Sequence, residues 1–196
     1  ETFVGRIDTA VGKQGIEVLN AGRSSFCPKL YYLRVKYLLE MEKLKFEHLA
    51  VFIDISDPQD EILYESFEPK AVPIDTVIEN KKGIYFDSLI YRQVVRPLRV
   101  RFGSKKDRSK DPEWAEEYNF ERARWTFDDA IYRKWAKRGL DLCAGNMDSL
   151  VKLTQQHGIT ISISVYPWPA QVNHQDTATR YTDFWRDFCK QRKIPF

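Results

Sequence analysis

An α/β fold, three layers built around a parallel sheet, is what this sequence predicts, and three observations predict it. A strand-like stretch at 16–20, a helical stretch from Pro28 and an apolar run at 48–55 follow one another in the order strand, helix, strand. That order is the pattern of a crossover unit with parallel strands. A second helix followed by a strand-like run recurs between 146 and 165. The chain has 196 residues, 43% of them hydrophobic, which is enough for one domain with a buried core.

Residues 2–12 place Phe3, Val4, Ile7 and Val11 at helical spacing, so a short amphipathic helix is expected, ended by Gly12 or Gly15. Ile16-Glu-Val-Leu-Asn20 reads as a strand, followed by a turn at 20–25. Pro28 suits a first helical position. Behind it Leu30, Leu33, Tyr37, Leu38, Met41 and Leu44 keep one apolar face, which predicts a helix over 28–44. The run at 48–55 is largely apolar with β-branched members, as a central parallel strand buried on both faces should be.

Asp57 and Pro58 read as the cap and first residue of a short helix over 57–65. From 66 to 125 the pattern weakens, and this stretch is treated as an insertion. Within it, 84–102 reads as a helix interrupted at Pro97, and 103–113 as a polar loop. Thr126 followed by acids is a helix cap. One helix is then expected to about Lys137 and a second over 146–157, stopped by Gly158. Residues 159–165 alternate apolar and polar and lead into Tyr166-Pro-Trp-Pro169. Residues 177–192 place Tyr181, Phe184, Trp185 and Phe188 on one stripe, and Ile194-Pro-Phe196 reads as the start of another strand.

Composition removes several classes of protein. No apolar run approaches the ~20 residues of a membrane helix, so no membrane span is expected. Lys and Arg number 31 against 28 Asp and Glu, a net charge of +3, and nucleic acid is not an expected partner. Cys27, Cys143 and Cys189 lack Cys-x-x-Cys spacing, and neither a zinc site nor a disulfide framework is expected. No cofactor motif is present, so no cofactor is expected. Asp57, Asp60 and Glu61 have no cation-loop spacing and already suit the positive end of a helix, so no metal is assigned to them.

Ligands of open α/β sheets sit beyond the carboxyl ends of the strands. Three such ends are predicted: Asn20 to Ser25 with Gly22; Asp54 to Asp57 with Ser56, Gln59, Asp60 and Glu61; and Tyr166 to Pro169. Gly22, Asp54, Ser56 and Asp57 are therefore the candidate site residues. A tight turn at Gly22 and a helix cap at Asp57 are the structural alternatives. His48, His157 and His174 are each better read as structural. Arg99, Arg101, Lys105 and Lys106 belong to a basic run over 92–110 in which Asp107 is the only acid. A solvated insertion explains that run, and an anionic polymer is its functional reading.

Three phrases of the sequence go further. GIEVLNAGRSSFCPKLYYLRVKYLLE, HLAVFIDISDPQDE and NMDSLVKLTQQHGITISISVYPWPAQV resemble the SGNH/GDSL hydrolase family, in particular bacterial members with a DISD-type third block. The resemblance covers about 1–65 and 126–196. It implies a three-layer, flavodoxin-like parallel sheet and a serine ester hydrolase, an esterase or carbohydrate O-acyl hydrolase or transferase, acting on an acylated small molecule or carbohydrate. In that family a Ser in a Gly-Asp-Ser block attacks the acyl carbon, and an Asp-x-x-His block supplies the base. A Gly N–H and an Asn side chain hold the oxyanion.

Gly22 matches the glycine block. Ile53, Asp54 or Ser56 stands near the family's Asn, so Ser56 or a backbone N–H would have to donate to an oxyanion. Neither Gly-Asp-Ser nor Asp-x-x-His occurs in the chain. Set against the family, Glu1 falls shortly after the first block and Phe196 shortly before the second. The resemblance therefore implies a fragment, incomplete at both ends of its sheet and inactive alone. The family's Ser-bearing strand would lie between 16–20 and 49–54, leaving a groove or a slot for a strand from a partner chain. The alternative function is a non-catalytic module that holds an anionic polymer through 92–110.

Overall fold

The structure is a computed structural model that describes residues 3–23, 25–69, 120–173 and 180–196. The chain divides into two compact units, 1–65 with 120–196, and 66–119. The first carries the α/β core. The core unit resumes at Phe120, ahead of Thr126, and Trp125 is fully buried in it. The expected helix at 84–102, the loop at 103–113 and the basic residues Arg99, Arg101, Lys105 and Lys106 lie outside the described residues.

Helix α1 (Phe3–Val11) is followed by a 3-10 turn over Gly12–Gln14. Gly15 closes that turn at φ +76°, a left-handed conformation that glycine adopts without steric cost. The strand expected at 16–20 is absent. Ile16 and Leu19 are 50% and 56% exposed, and the Val18 N–H donates to Asp8 Oδ1 at 3.3 Å. An extended segment with no neighbouring strand cannot satisfy its backbone through a ladder, so apolar alternation alone does not hold it in a sheet. No ladder joins 16–20 to 48–53 among the described residues.

Helix α2 (Pro28–Glu40) has Cys27 at its cap and proline in its first position. It stops short of Leu44 because the chain turns left-handed at Lys43, φ +54°. The Leu44 N–H then reaches back to the Leu38 carbonyl at 2.9 Å and the Glu42 N–H to the Tyr37 carbonyl, so carbonyls near the helix end keep donors.

Strand β1 (His48–Ile53) pairs in parallel with β2 (Thr160–Val165), in register from His48 opposite Thr160 to Ile53 opposite Val165. Parallel pairing brings both carboxyl ends to one side of the sheet. Leu49, Val51 and Ile53 face the core with Ile161, Ile163 and Val165, whereas His48, Ala50 and Phe52 are exposed. Burial on both faces of this strand, as expected from its apolar run, is therefore corrected: its outer face is exposed, with the Phe52 ring packed edge to face with Phe3 at 4.9 Å.

Helix α3 (Asp57–Leu63) begins one residue earlier than expected, with Ser56 in the capping position and Asp57 as its first residue. Helix α4 (Lys137–Gln156) continues without interruption from a turn at Asp129–Ile131 and a π-turn over Tyr132–Ala136. The two helices expected here are one. Its cap is Asp128, whose Oδ1 accepts from the Ala130 and Ile131 N–H groups; Thr126 is buried and donates to the Ala123 carbonyl. Gly145-Asn146 does not break the helix, because Asn146 spends its side chain on a buried partner described below.

The short α5 (Pro169–Asn173) follows β2, and α6 (Arg180–Arg192) buries Tyr181, Trp185, Phe188 and Cys189. Beyond α6 the Ile163 N–H donates to the Pro195 carbonyl at 3.1 Å, but this is a single bond and the strand expected to start at Ile194 is not formed. Trp125, Trp185, Ile53, Ile55, Leu140, Met147, Leu150 and Ile163 form the centre of the core. Cys27, Cys143 and Cys189 are buried free thiols. No helix among the described residues is long and apolar enough to cross a membrane.

Candidate functional site

Past Ile53 the chain leaves the sheet and turns at once into α3, and this turn gathers the polar residues. Asp54 Oδ1 accepts from the Ser56 N–H at 2.8 Å and from the Ser56 hydroxyl at 2.6 Å. Asp54 Oδ2 accepts from the Trp168 indole N–H at 3.0 Å and from the Tyr166 hydroxyl. A carboxylate offers about four lone-pair sites, so Asp54 is filled. Three candidates, Asp54, Ser56 and Asp57, are brought together here, because Asp57 Oδ2 accepts the Asp54 N–H at 3.2 Å.

Asp57 is 1% exposed and also takes the Tyr31 hydroxyl at 2.7 Å. Burial pushes its carboxyl well above the ordinary range, against the pull of the Tyr31 hydrogen bond and with a further push from Asp54. Asp60 is raised by burial too, opposed by Arg122, which donates to it at 2.8 Å. Glu61 is raised by burial, opposed by the Lys29 N–H at 2.6 Å and by the Asn146 amide at 2.8 Å. Burial, and next the neighbouring Glu61, push the Cys27 thiol up to about 12, so it stays protonated.

Gly22 is not joined to this group by its own contact: its N–H donates to Asn20 Oδ1 at 3.0 Å on an exposed stretch. Ser24 and His174 lie outside the described residues. His48 bridges the two strands on the outer face, with Nδ1 at 2.8 Å from Thr160 Oγ1 and Nε2 at 2.9 Å from Ser162 Oγ. Because the Thr160 hydroxyl donates to the Glu47 carbonyl at 3.0 Å, its oxygen is left to accept from Nδ1–H, and Nε2 accepts from Ser162. His157 sits at the C-terminal cap of α4.

Tyr31, Asn146, Tyr166 and Trp168 were not singled out as site residues from sequence. Asn146 had a signal: it is a polar residue beside Cys143, Met147 and Leu150 on the apolar stripe of its helix. Tyr166 and Trp168 fall at the third predicted strand end. Tyr31 had none, since a tyrosine on an apolar helix face looks like core.

An open cleft of about 380 Å³ lies beyond the carboxyl end of β2, lined by Tyr166, Pro167, Gln171, Tyr181, Thr182 and Phe196 among others. No Lys, Arg, Asp or Glu side chain among the described residues lines it. Nor are three or more His, Cys, Asp or Glu residues placed to hold a metal ion among the described residues. The chain matches no family model, no curated protein and no solved structure.

The buried acids set a pH dependence. A carboxyl raised in the folded state binds its proton more tightly there than in the unfolded chain. Its contribution to stability is full below the ordinary carboxyl range, at about pH 4, and declines as pH rises through the folded value. Asp57→Asn keeps an oxygen to accept from Tyr31 and from the Asp54 N–H, and cannot ionise. Relative to wild type it should therefore gain stability as pH rises above about 4. Urea unfolding at a series of pH values checks this. A stability difference that stays constant across the series contradicts a raised Asp57.

Proposed function

We propose that this chain is the sheet-bearing part of an SGNH/GDSL-type hydrolase, with the three-layer, flavodoxin-like arrangement of that family. The whole enzyme would transfer an acyl group from an ester of a small molecule or carbohydrate to water or a second acceptor. One observation carries the reading. Asp54 of the DISD block and Tyr166 and Trp168 of the YPWP block, two of the phrases that resemble the family, lie more than a hundred residues apart in sequence. They bond to each other at the carboxyl ends of two adjacent parallel strands, where open α/β sheets bind ligands. In this reading the side of β1 away from β2 receives the Ser-bearing strand, from the same polypeptide or from a partner chain.

The site chemistry narrows the roles. Asp54 is acceptor only and has no lone pair left, so it neither stabilises an oxyanion nor serves as a base. The N–H and hydroxyl of Ser56 both point at Asp54, so Ser56 as found is not a free oxyanion donor. A nucleophile and its base come from Gly-Asp-Ser and Asp-x-x-His blocks, and neither is in this chain.

The chain alone should therefore hydrolyse p-nitrophenyl acetate no faster than a heat-denatured control, since without nucleophile and base only a small residual rate survives. Turnover that follows the pure protein, and disappears on changing Ser24 or Ser25, would overturn this reading.

A further inference from the structure

Two chains of contacts run from Asp54 to the cleft beyond β2. Tyr166 donates its hydroxyl to Asp54 and forms one wall of the cleft. Trp168 donates its indole N–H to the same oxygen at 3.0 Å; its backbone N–H donates to Gln171 Oε1 at 3.0 Å, and Gln171 is another lining residue. Asp54 itself does not line the cleft.

We propose that Asp54 is a positioning residue: its carboxylate fixes the Tyr166 wall of the cleft directly, and the Gln171 wall through Trp168. The inference rests on the reading of this mouth as the ligand site, and it assigns to Asp54 a role that no catalytic step requires. The chemistry needs a carboxylate. Each oxygen faces two donors, Ser56 N–H and O–H on one side, Tyr166 O–H and Trp168 N–H on the other. An amide at this position turns its own NH2 toward one of those pairs. Turned toward Ser56, the NH2 meets a backbone N–H that cannot accept; turned toward the cleft, it meets the Trp168 indole N–H, which cannot accept either. In both orientations a donor loses its acceptor, and the carboxylate charge beside the Tyr166 phenol is gone.

Nitration by tetranitromethane reads this change, because the reagent attacks the phenolate. In wild type the Tyr166 phenol is held protonated, by burial and then by its hydrogen bond to Asp54 and the charge of that carboxylate. Peptide mapping after brief nitration should show Tyr166 reacting at least about tenfold faster in Asp54→Asn than in wild type, with Tyr132 unchanged, tenfold being one unit of phenol acidity. Should Asp54→Asn fold poorly, the wild-type protein can still overturn the proposal: Tyr166, though 43% exposed, should react at least about tenfold more slowly than N-acetyltyrosinamide. Equal rates at Tyr166 in wild type and Asp54→Asn, or a wild-type Tyr166 as reactive as the free amide, overturn the proposal. Neither result depends on ester hydrolysis, so this inference and the enzyme reading fail separately.

Discussion

Glu61→Ala is expected to cost about 2–4 kcal/mol of unfolding free energy, from donors left without an acceptor and from the cavity left behind. Glu61 is 1% exposed and ties three helices together from α3. Oε1 accepts the Lys29 N–H at the start of α2, one of the amide groups that a helix cannot satisfy internally. Oε2 accepts the Asn146 amide from the middle of α4. Alanine leaves both donors short. Part of the loss is offset, because burial already disfavours the ionised carboxyl. Glu61→Gln keeps one accepting oxygen and turns an NH2 toward the other donor, so it should cost less, about 1–2 kcal/mol. Urea unfolding of both variants gives the order. Two variants each within about 0.5 kcal/mol of wild type would mean that Glu61 is not the tie it appears in the geometry.

Gly139→Ala should also lose about 2–4 kcal/mol, against the sign that helix propensity alone gives. In an isolated helix the change from glycine to alanine gains about 1 kcal/mol. Here a Cβ at position 139 would stand 2.2 Å from the Pro58 carbonyl oxygen and 2.7 Å from its carbon. Both are backbone atoms at the start of α3, so α3 and α4 must separate or shift. That movement also strains the turn that carries Asp54 and Asp57. A thermal shift of Gly139→Ala upward, or no change, would contradict the close approach of the two helices.

Local chemistry made several elements legible. The apolar face behind Pro28 specifies α2, the run from Leu49 to Ile53 specifies β1, and the alternation from Ile159 specifies β2, because each period is written in neighbouring residues. What depended on distant partners was not legible. Ile16 to Asn20 alternates like a strand and lies exposed, since no ladder takes it among the described residues. Gly145-Asn146 looks like a helix end, and Glu61, far away in sequence, makes Asn146 an interior donor. Asp57 looks like a cap by its position before Pro58, yet Tyr31 draws its side chain into the core. The same holds for the site. Topology placed Asp54, Ser56 and Asp57 at a strand end, but the filling of Asp54 by Tyr166 and Trp168 follows only from the pairing of β1 with β2.

The proposed function puts this mouth in a serine ester hydrolase whose Gly-Asp-Ser and Asp-x-x-His blocks this sequence does not contain. The direct measurement is to sequence the gene across the codons of Glu1 and Phe196, express its product and assay it on p-nitrophenyl acetate. Expected are a Gly-Asp-Ser block before the first, an Asp-x-x-His block after the second, and turnover that falls by at least about a thousandfold when that Ser becomes Ala. A full product that has neither block and does not turn over the ester, or one whose activity survives loss of the Ser, would contradict it.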